Sequence, residues 1–154
     1  MEEIKEIRTR NELADYIGVP RKKLSYILYV KKIENLYESF KIPKKNGGFR
    51  QIHAPKKDLK QIQKSLAEAL YKYEKEIAKK NGLNSNISHA FEKGKSFITN
   101  AQIHRNKRFV INVDLENFFD SFHFGRVRGY FMKNKNYQCS EEVATTIAQI
   151  ACYE

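Results

Sequence analysis

Residues 109–122 read Phe109-Val110-Ile111-Asn112-Val113-Asp114-Leu115-Glu116-Asn117-Phe118-Phe119-Asp120-Ser121-Phe122. The β-rich run from Phe109 to Val113 lies between Lys107-Arg108 and Asp114, which predicts a buried strand with one carboxylate at its exit. A carboxylate in that place suits a hard cation, because Mg²⁺ takes one or two carboxylates together with substrate phosphate oxygens. The plainer reading of a single Asp is a cap on the following turn. Asp120, followed by Ser121, is read as such a turn or cap residue, and Glu116 as a solvent-facing side chain.

Upstream, the spacing predicts a short helix from Ser96 to about His104, preceded by a polar loop over 83–88. Before that loop Leu59, Ile62, Leu66, Ala69, Leu70, Tyr73 and Ile77 recur at helical steps behind Asp58 as a cap. Lys79-Lys80-Asn81-Gly82 closes that helix with cations and a glycine, as the helix dipole and C-cap geometry favour. From Leu36 to Pro55 the period shortens towards two around Asn46-Gly47-Gly48, the signature of a β-hairpin turn. At the start of the chain, Asn11 as a cap with Leu13, Ala14 and Ile17 gives one short helix. Gly18-Val19-Pro20 breaks it, and Leu24, Ile27 and Leu28 give a second as far as Val30. Such a pair has the outline of a helix-turn-helix but is a common packing unit. Downstream, helices are predicted near Arg126–Met132 and from about Ser140 to the final residue, with Glu141 and Glu142 in the first turn of the latter. The class is α+β, without an internal repeat or a linker.

Within 154 residues, 29 Lys and Arg stand against 18 Asp and Glu, a formal net charge of +11, and that excess points to a polyanionic partner. The length suits one domain or a piece of a larger protein. The 7 Gly and 3 Pro exclude a collagen-like or low-complexity chain. Cys139 and Cys152 form neither a disulfide framework nor a zinc-ligand pattern, so a reducing compartment is expected. The charged start MEEIKEIRTR has no signal-peptide core and no apolar stretch is long enough to span a membrane, which makes the cytoplasm the expected location.

The cations are densest from Lys41 to Lys60, where Lys41, Lys44, Lys45, Arg50, Lys56, Lys57 and Lys60 face the single acid Asp58. If they alternate with Phe49 and Ile52, the hairpin has one cationic face for phosphates and one apolar face for packing. Arg50, just after the Gly-Gly turn, can grip a phosphate through two parallel hydrogen bonds, which a lysine cannot. The alternative is a solvated hairpin tip whose lysines serve solubility.

Three blocks in fixed order carry a family resemblance. The first is Arg50-Gln51-Ile52-His53-Ala54-Pro55 followed by Leu59-Lys60-x-Ile62-Gln63. The second is His89-Ala90-Phe91-Glu92-Lys93-Gly94-Lys95-Ser96-Phe97-Ile98-Thr99-Asn100-Ala101-x-x-His104, and the third runs from Phe109 to Phe122. Together they resemble the first blocks of bacterial reverse transcriptases of the retron type, over nearly the whole chain and most weakly over its first 35 residues.

The resemblance implies right-hand polymerase fingers and the start of a palm behind an N-terminal helical hairpin: residues 1–35 a helical extension, 36–108 fingers-like, 109–154 a partial palm. It makes Asp114 the catalytic carboxylate and a ligand of two Mg²⁺ ions, with the backbone carbonyl of Leu115 assisting one. It puts Phe119 under the sugar, where its bulk excludes a 2′ hydroxyl. Phe118 either packs in the core or lines the nucleotide site with Arg50 and Asn117. Lys44, Lys45, Lys56, Lys57, Lys95, Ser96 and Asn100 are the implied nucleic-acid contacts, with Phe91 or Phe97 as stacking rings. Ser96 and His104 have a plainer reading as helix cap and helix end, and His53 and His89 carry no specific signal. The implied partners are a structured non-coding RNA template and its cDNA, deoxynucleoside triphosphates and, in antiphage defence, an effector protein.

The sequence departs from that family in having neither a Leu-Pro-Gln-Gly-like block nor a Tyr-x-Asp-Asp hairpin. It therefore reads as the N-terminal half of a reverse transcriptase, ended in mid-helix and inactive alone. The other function class open to it is a basic RNA-binding or partner-binding module with a vestigial metal site.

Overall fold

The computed structural model describes residues 3–31, 35–82, 88–90, 92–116 and 118–153. These form helices and a two-stranded antiparallel sheet, an α+β chain, and divide into two compact units, Met1–Glu74 with Phe122–Glu154, and Lys75–Ser121.

The first unit begins with a capping box that sets the helical hairpin. Thr9 Oγ1 accepts from the backbone N–H of Glu12 at 3.3 Å, and the Glu12 carboxylate accepts from the N–H of Thr9 at 3.2 Å and of Arg8 at 2.7 Å. These three bonds satisfy donors that the first turn of helix α1 (Arg10–Tyr16) leaves open, so Thr9 and not Asn11 is the cap. Gly18, at φ 67°, turns the chain, and Pro20 leads into α2 (Arg21–Tyr29). Asp15 and Arg21 are ion-paired across the turn. Leu13, Ala14, Ile17, Leu24 and Ile27 are buried, as their spacing predicts; Leu28 is only half-buried, and Val19 in the turn is buried too.

Helix α3 (Lys57–Lys80) follows the hairpin strands β1 (Tyr37–Pro43) and β2 (Phe49–Pro55) and buries Leu59, Ile62, Leu66 and Tyr73. Asp58 lies inside its first turn instead of capping it. Its carboxylate pairs with Lys23 at 3.3 Å and Lys31 at 3.4 Å, hydrogen bonds that hold its pKa below the ordinary value. Helices α4 (Phe97–His104), α5 (Phe124–Lys133) and α6 (Glu141–Ala151) complete the fold. Ser140 caps α6 by accepting from Val143 N–H, and its own hydroxyl donates to the Arg8 carbonyl at 2.6 Å. Val143, Ala144, Ile147, Ala148 and Ile150 are buried, each large side chain stabilising by about 1.5–3 kcal/mol before entropy is counted. The buried Thr146 hydroxyl donates to the Glu142 carbonyl, so α6 carries no orphaned polar group there.

The last helix ends at Ala151 and does not run to the final residue as its spacing predicts. Cys152 is extended, and the Tyr153 ring stacks on His53 at 4.1 Å and meets Tyr37 edge-on at 4.8 Å.

In the second unit, Ser96 and Thr99 form a reciprocal capping box for α4. The predicted strand Phe109–Val113 is not formed: Phe109, Ile111 and Val113 are 80%, 84% and 83% exposed and the segment has no regular structure. A strand needs a neighbouring ladder to satisfy its backbone, and the sheet of the described residues contains β1 and β2 only.

Cys139 is buried, and burial pushes its thiol from 9.0 up to about 11. A thiol raised in the folded state favours folding fully below pH 9 and loses that contribution as the pH rises towards 11. At pH 8, thiol-labelling reagents should modify the half-buried Cys152 first and Cys139 only on unfolding, read by mass spectrometry with and without denaturant; equal rates in the native chain would contradict this packing.

Candidate nucleic-acid interface

The β1–β2 hairpin is an arm anchored at its base. Tyr37 is buried, its hydroxyl accepts from Gln63 Nε2 at 3.3 Å, and the same amide donates to the Ile150 carbonyl at 2.9 Å. His53, which has no assigned role in the sequence, bonds Ser39 through Nδ1 at 2.7 Å and stacks on Tyr153, stiffening the arm above its base. Beyond these contacts the arm is solvent-covered on both sides, with Phe40 46%, Ile42 38% and Phe49 68% exposed.

The register corrects the expected division into a cationic and an apolar face. Phe40 pairs with Ile52 and Ile42 with Arg50, whereas Lys41 pairs with Gln51 and Pro43 with Phe49. Side chains alternate across a strand, so Phe49 and Ile52, three positions apart, point to opposite faces. Arg50 therefore shares its face with Phe40, Ile42 and Ile52, and each face of the arm mixes cations with apolar side chains.

Cations gather at the tip. Gly47 and Gly48, at φ 86° and 79°, let the chain reverse so that Lys44 N–H reaches the Gly48 carbonyl at 3.0 Å. Lys44, Lys45 and Arg50 then line, with Ile42, Pro43 and Asn46, a cleft of about 460 Å³. Lys56 and Lys57 stand at the other end of the arm, where Lys56 N–H donates to the Leu36 carbonyl and Lys57 opens α3. The hairpin cations thus form two groups along one arm.

In the second unit, Lys95 Nζ donates to the Ser88 carbonyl at 2.7 Å, and Ser96 Oγ accepts from Thr99 N–H at 3.4 Å, the cap predicted as its plainer role. His89 Nδ1 bonds the Thr99 hydroxyl at 2.8 Å, which ties the segment before α4 to its first turn. Asn100 and His104 line a cleft of about 560 Å³ with Phe97, Ile98, Val110 and Asn112. A polar amide beside exposed apolar side chains is chemically suited to an unstacked base.

Asp114 and Leu115 lie on the extended, exposed segment after Val113. Phe118 and Phe119 meet edge-on at 5.4 Å, 42% and 71% exposed, so Phe118 is not a core residue of this unit. Ser121 closes the turn behind them, its hydroxyl donating to the Phe118 carbonyl at 2.7 Å. Asn117 and Phe91 lie outside the described residues. Among the described residues no three His, Cys, Asp or Glu side chains come together as a metal site. An exposed carboxylate next to a backbone carbonyl has the donor chemistry of one Mg²⁺ ligand pair, but it is too few ligands for a two-ion centre.

Comparison with known proteins finds retron reverse transcriptases. The chain is 35% identical over 124 residues to the retron Mx65 reverse transcriptase of Myxococcus xanthus, a match covering 79% of this chain and 27% of that protein. It is 36% identical to the retron Se72 reverse transcriptase of Salmonella heidelberg, over 75% of this chain and 28% of the relative. The retron Mx162 reverse transcriptase of Myxococcus xanthus matches at 30% over 83% of this chain and 25% of the relative. No family model and no solved structure matches. Over the matched stretch the chain is similar to the retron reverse transcriptases. That stretch is about a quarter of each relative's length, not the half that the motif order suggests. No helix among the described residues is long and apolar enough to cross a membrane.

If the arm tip meets phosphates, the purified chain binds RNA with an affinity that falls as salt rises from about 50 to 200 mM, through counterion release. The double substitution K44E/K45E should flatten the logarithmic salt slope by roughly two ions. Fluorescence anisotropy across that salt range checks both; an unchanged slope would exclude the tip as a phosphate surface.

Proposed function

We propose that this chain forms the fingers and the start of the palm of an RNA-directed DNA polymerase that copies a structured non-coding RNA into single-stranded DNA. The observation that carries the reading is the ordered set of three sequence blocks, ending in Asp114-Leu115-x-x-Phe118-Phe119, in a chain related to retron reverse transcriptases over 75–83% of its length. Residues 1–35 are then a helical extension, 36–108 the fingers-like region and 109–154 the beginning of the palm. The partners are the RNA, its cDNA and deoxynucleoside triphosphates, in a reducing cytoplasm, with an effector protein where the system acts in antiviral defence.

In this reading Asp114, with the Leu115 carbonyl, contributes to holding Mg²⁺, which supplies charge neutralisation at the reacting phosphate when bound. The chain's own side chains do the positioning. Arg50 at the arm tip offers two parallel N–H donors to a phosphate, and Lys44 and Lys45 add charge beside it. Lys56 and Lys57 extend the cationic track towards α3. Asn117 and Phe118 help shape the nucleotide site. The Phe119 ring, edge-on to Phe118, presents bulk and no hydrogen-bonding atom, so it selects a sugar by steric exclusion of the 2′ hydroxyl. In this reading Lys95, Asn100 and the hydroxyl of Ser96 meet the template strand, although the Ser96 oxygen already serves as a cap.

A second reading, a basic RNA-binding or partner-binding module with a vestigial metal site, is favoured by one observation: Asp114 belongs to no metal-ligating group among the described residues. Both readings include RNA binding and they part on catalysis. One carboxylate cannot neutralise two divalent ions, so the 154-residue chain alone shows no Mg²⁺-dependent nucleotide incorporation on a primed RNA template. Incorporation by the purified chain would refute that expectation.

A chimera separates the two readings. When this chain replaces the matched stretch of the Mx65 enzyme, primer extension should be retained and D114N should abolish it. F119A should raise ribonucleotide incorporation relative to deoxyribonucleotide by at least roughly tenfold. A folded chimera whose extension survives D114N would sink the catalytic assignment.

A further inference from the structure

Helix α2 has an outward face that the hairpin arm and the Asp114 segment do not use. Leu24 and Ile27 are buried, while Lys22, Ser25, Tyr26 and Tyr29 recur at three- and four-residue steps on the other side and so lie next to one another. Tyr26 and Tyr29 are 51% and 57% exposed. With Arg10 and Asn11 of α1 these residues line a surface cleft of about 710 Å³.

The cations around the two rings fall into two kinds. Arg21 is paired with Asp15, and Lys23 and Lys31 share Asp58, so their charge is offset locally. Arg10 and Lys22 form no ion pair among the described residues, and the Arg10 Nε is shielded from solvent without a hydrogen-bond partner. The Arg10 guanidinium lies over the Tyr29 ring, 4.8 Å from its centre. The arrangement is pre-organised: the backbone N–H of Arg10 donates to Glu142 at 3.1 Å and the Tyr29 hydroxyl donates to Gln149 at 3.4 Å. Between Arg10 and Lys31 the sequence has five cations and two carboxylates.

We propose that this α1–α2 face is a second nucleic-acid surface, on which single-stranded RNA stacks bases against Tyr26 and Tyr29 while Arg10 and Lys22 hold the flanking phosphates. Two adjacent exposed rings with unpaired cations on either side suit a single strand. A duplex hides its base faces and would use the cations alone. An acidic protein surface would use the cations but gains nothing particular from two adjacent exposed rings. The inference goes beyond the polymerase reading and requires no catalytic residue.

The test works in the K44E/K45E chain, where two of the three tip cations are reversed and the arm tip attracts phosphate far less. In that background Y26A/Y29A should weaken binding of a short single-stranded RNA by roughly tenfold or more and leave duplex binding almost unchanged, while Y26F/Y29F should bind as the parent does. Single-strand affinity that is the same with and without the two rings overturns the proposal. Because these side chains are exposed, circular dichroism should be unaltered, and a mapping experiment covers the case in which it is not. Photo-crosslinking of 4-thiouridine RNA to the unsubstituted chain should modify the peptide bearing Tyr26 and Tyr29. Crosslinks confined to residues 41–60 would overturn the proposal and leave the face to a protein partner. Failure of the polymerase reading would show instead in the chimera, which this experiment does not involve.

Discussion

Helix α6 is the surface on which the first unit is assembled. Its buried side chains from Val143 to Ile150 supply apolar area, and its polar atoms hold elements far away in sequence. Glu142 accepts from Arg10, Ser140 donates to the Arg8 carbonyl, Gln149 accepts from Tyr29, and the Ile150 carbonyl accepts from Gln63 at the foot of the hairpin arm. The N-terminal helices and the arm are thus both fixed to a helix at the other end of the chain. Loss of α6 would remove these four hydrogen bonds together, at the N-terminal helices and at the base of the arm alike.

That dependence explains which parts of the fold were legible in the sequence. A helix satisfies its own backbone, so composition and caps locate it: α3 ends at the predicted Lys79-Lys80 tail and α2 begins after Pro20. Two predicted caps are displaced: Asp58 lies inside the first turn of α3, and Thr9 replaces Asn11, for which Thr-x-x-Glu is a local signal. A strand cannot satisfy itself. Phe109–Val113 has the composition of a buried strand and lies exposed, because burial belongs to the strand together with its neighbours. The β1–β2 pair forms because its partner is supplied locally through Asn46-Gly47-Gly48.

Much of the candidate site was legible in the same local sense. The tip cations Lys44, Lys45 and Arg50 come together because a tight turn forces them to, and Ser96 caps because Thr99 lies at the right spacing. The face assignment of the arm was not legible from a count of cations, although parity alone decides it: an odd separation between Phe49 and Ile52 puts them on opposite faces. Asp114 stands out in sequence by its neighbours Leu115, Phe118 and Phe119; that it joins no group of three or more candidate ligands among the described residues becomes visible only in three dimensions. The Tyr26–Tyr29 face was overlooked although Lys22-x-x-x-Tyr26-x-x-Tyr29 is a helical stripe, because attention to buried spacing passes over what the opposite side of the same helix presents.

The net charge of +11 therefore resolves into surfaces with different physics. At the arm tip, cations surround a cleft without a stacked ring, and attraction there is long-ranged, indifferent to base identity and strongly screened by salt. On α1–α2, the unpaired cations are fewer and the rings carry more of the interaction, which makes contact short-ranged and selective for an unpaired strand. The proposed function would use both properties, gripping phosphates without regard to sequence while telling structured RNA apart by where its bases are free. A single uniformly basic surface would give the first property only. Neutralising Arg21, Lys23 and Lys31 with Asp15 and Asp58, while leaving Arg10 and Lys22 unpaired, is what keeps the α1–α2 face from being another phosphate trap.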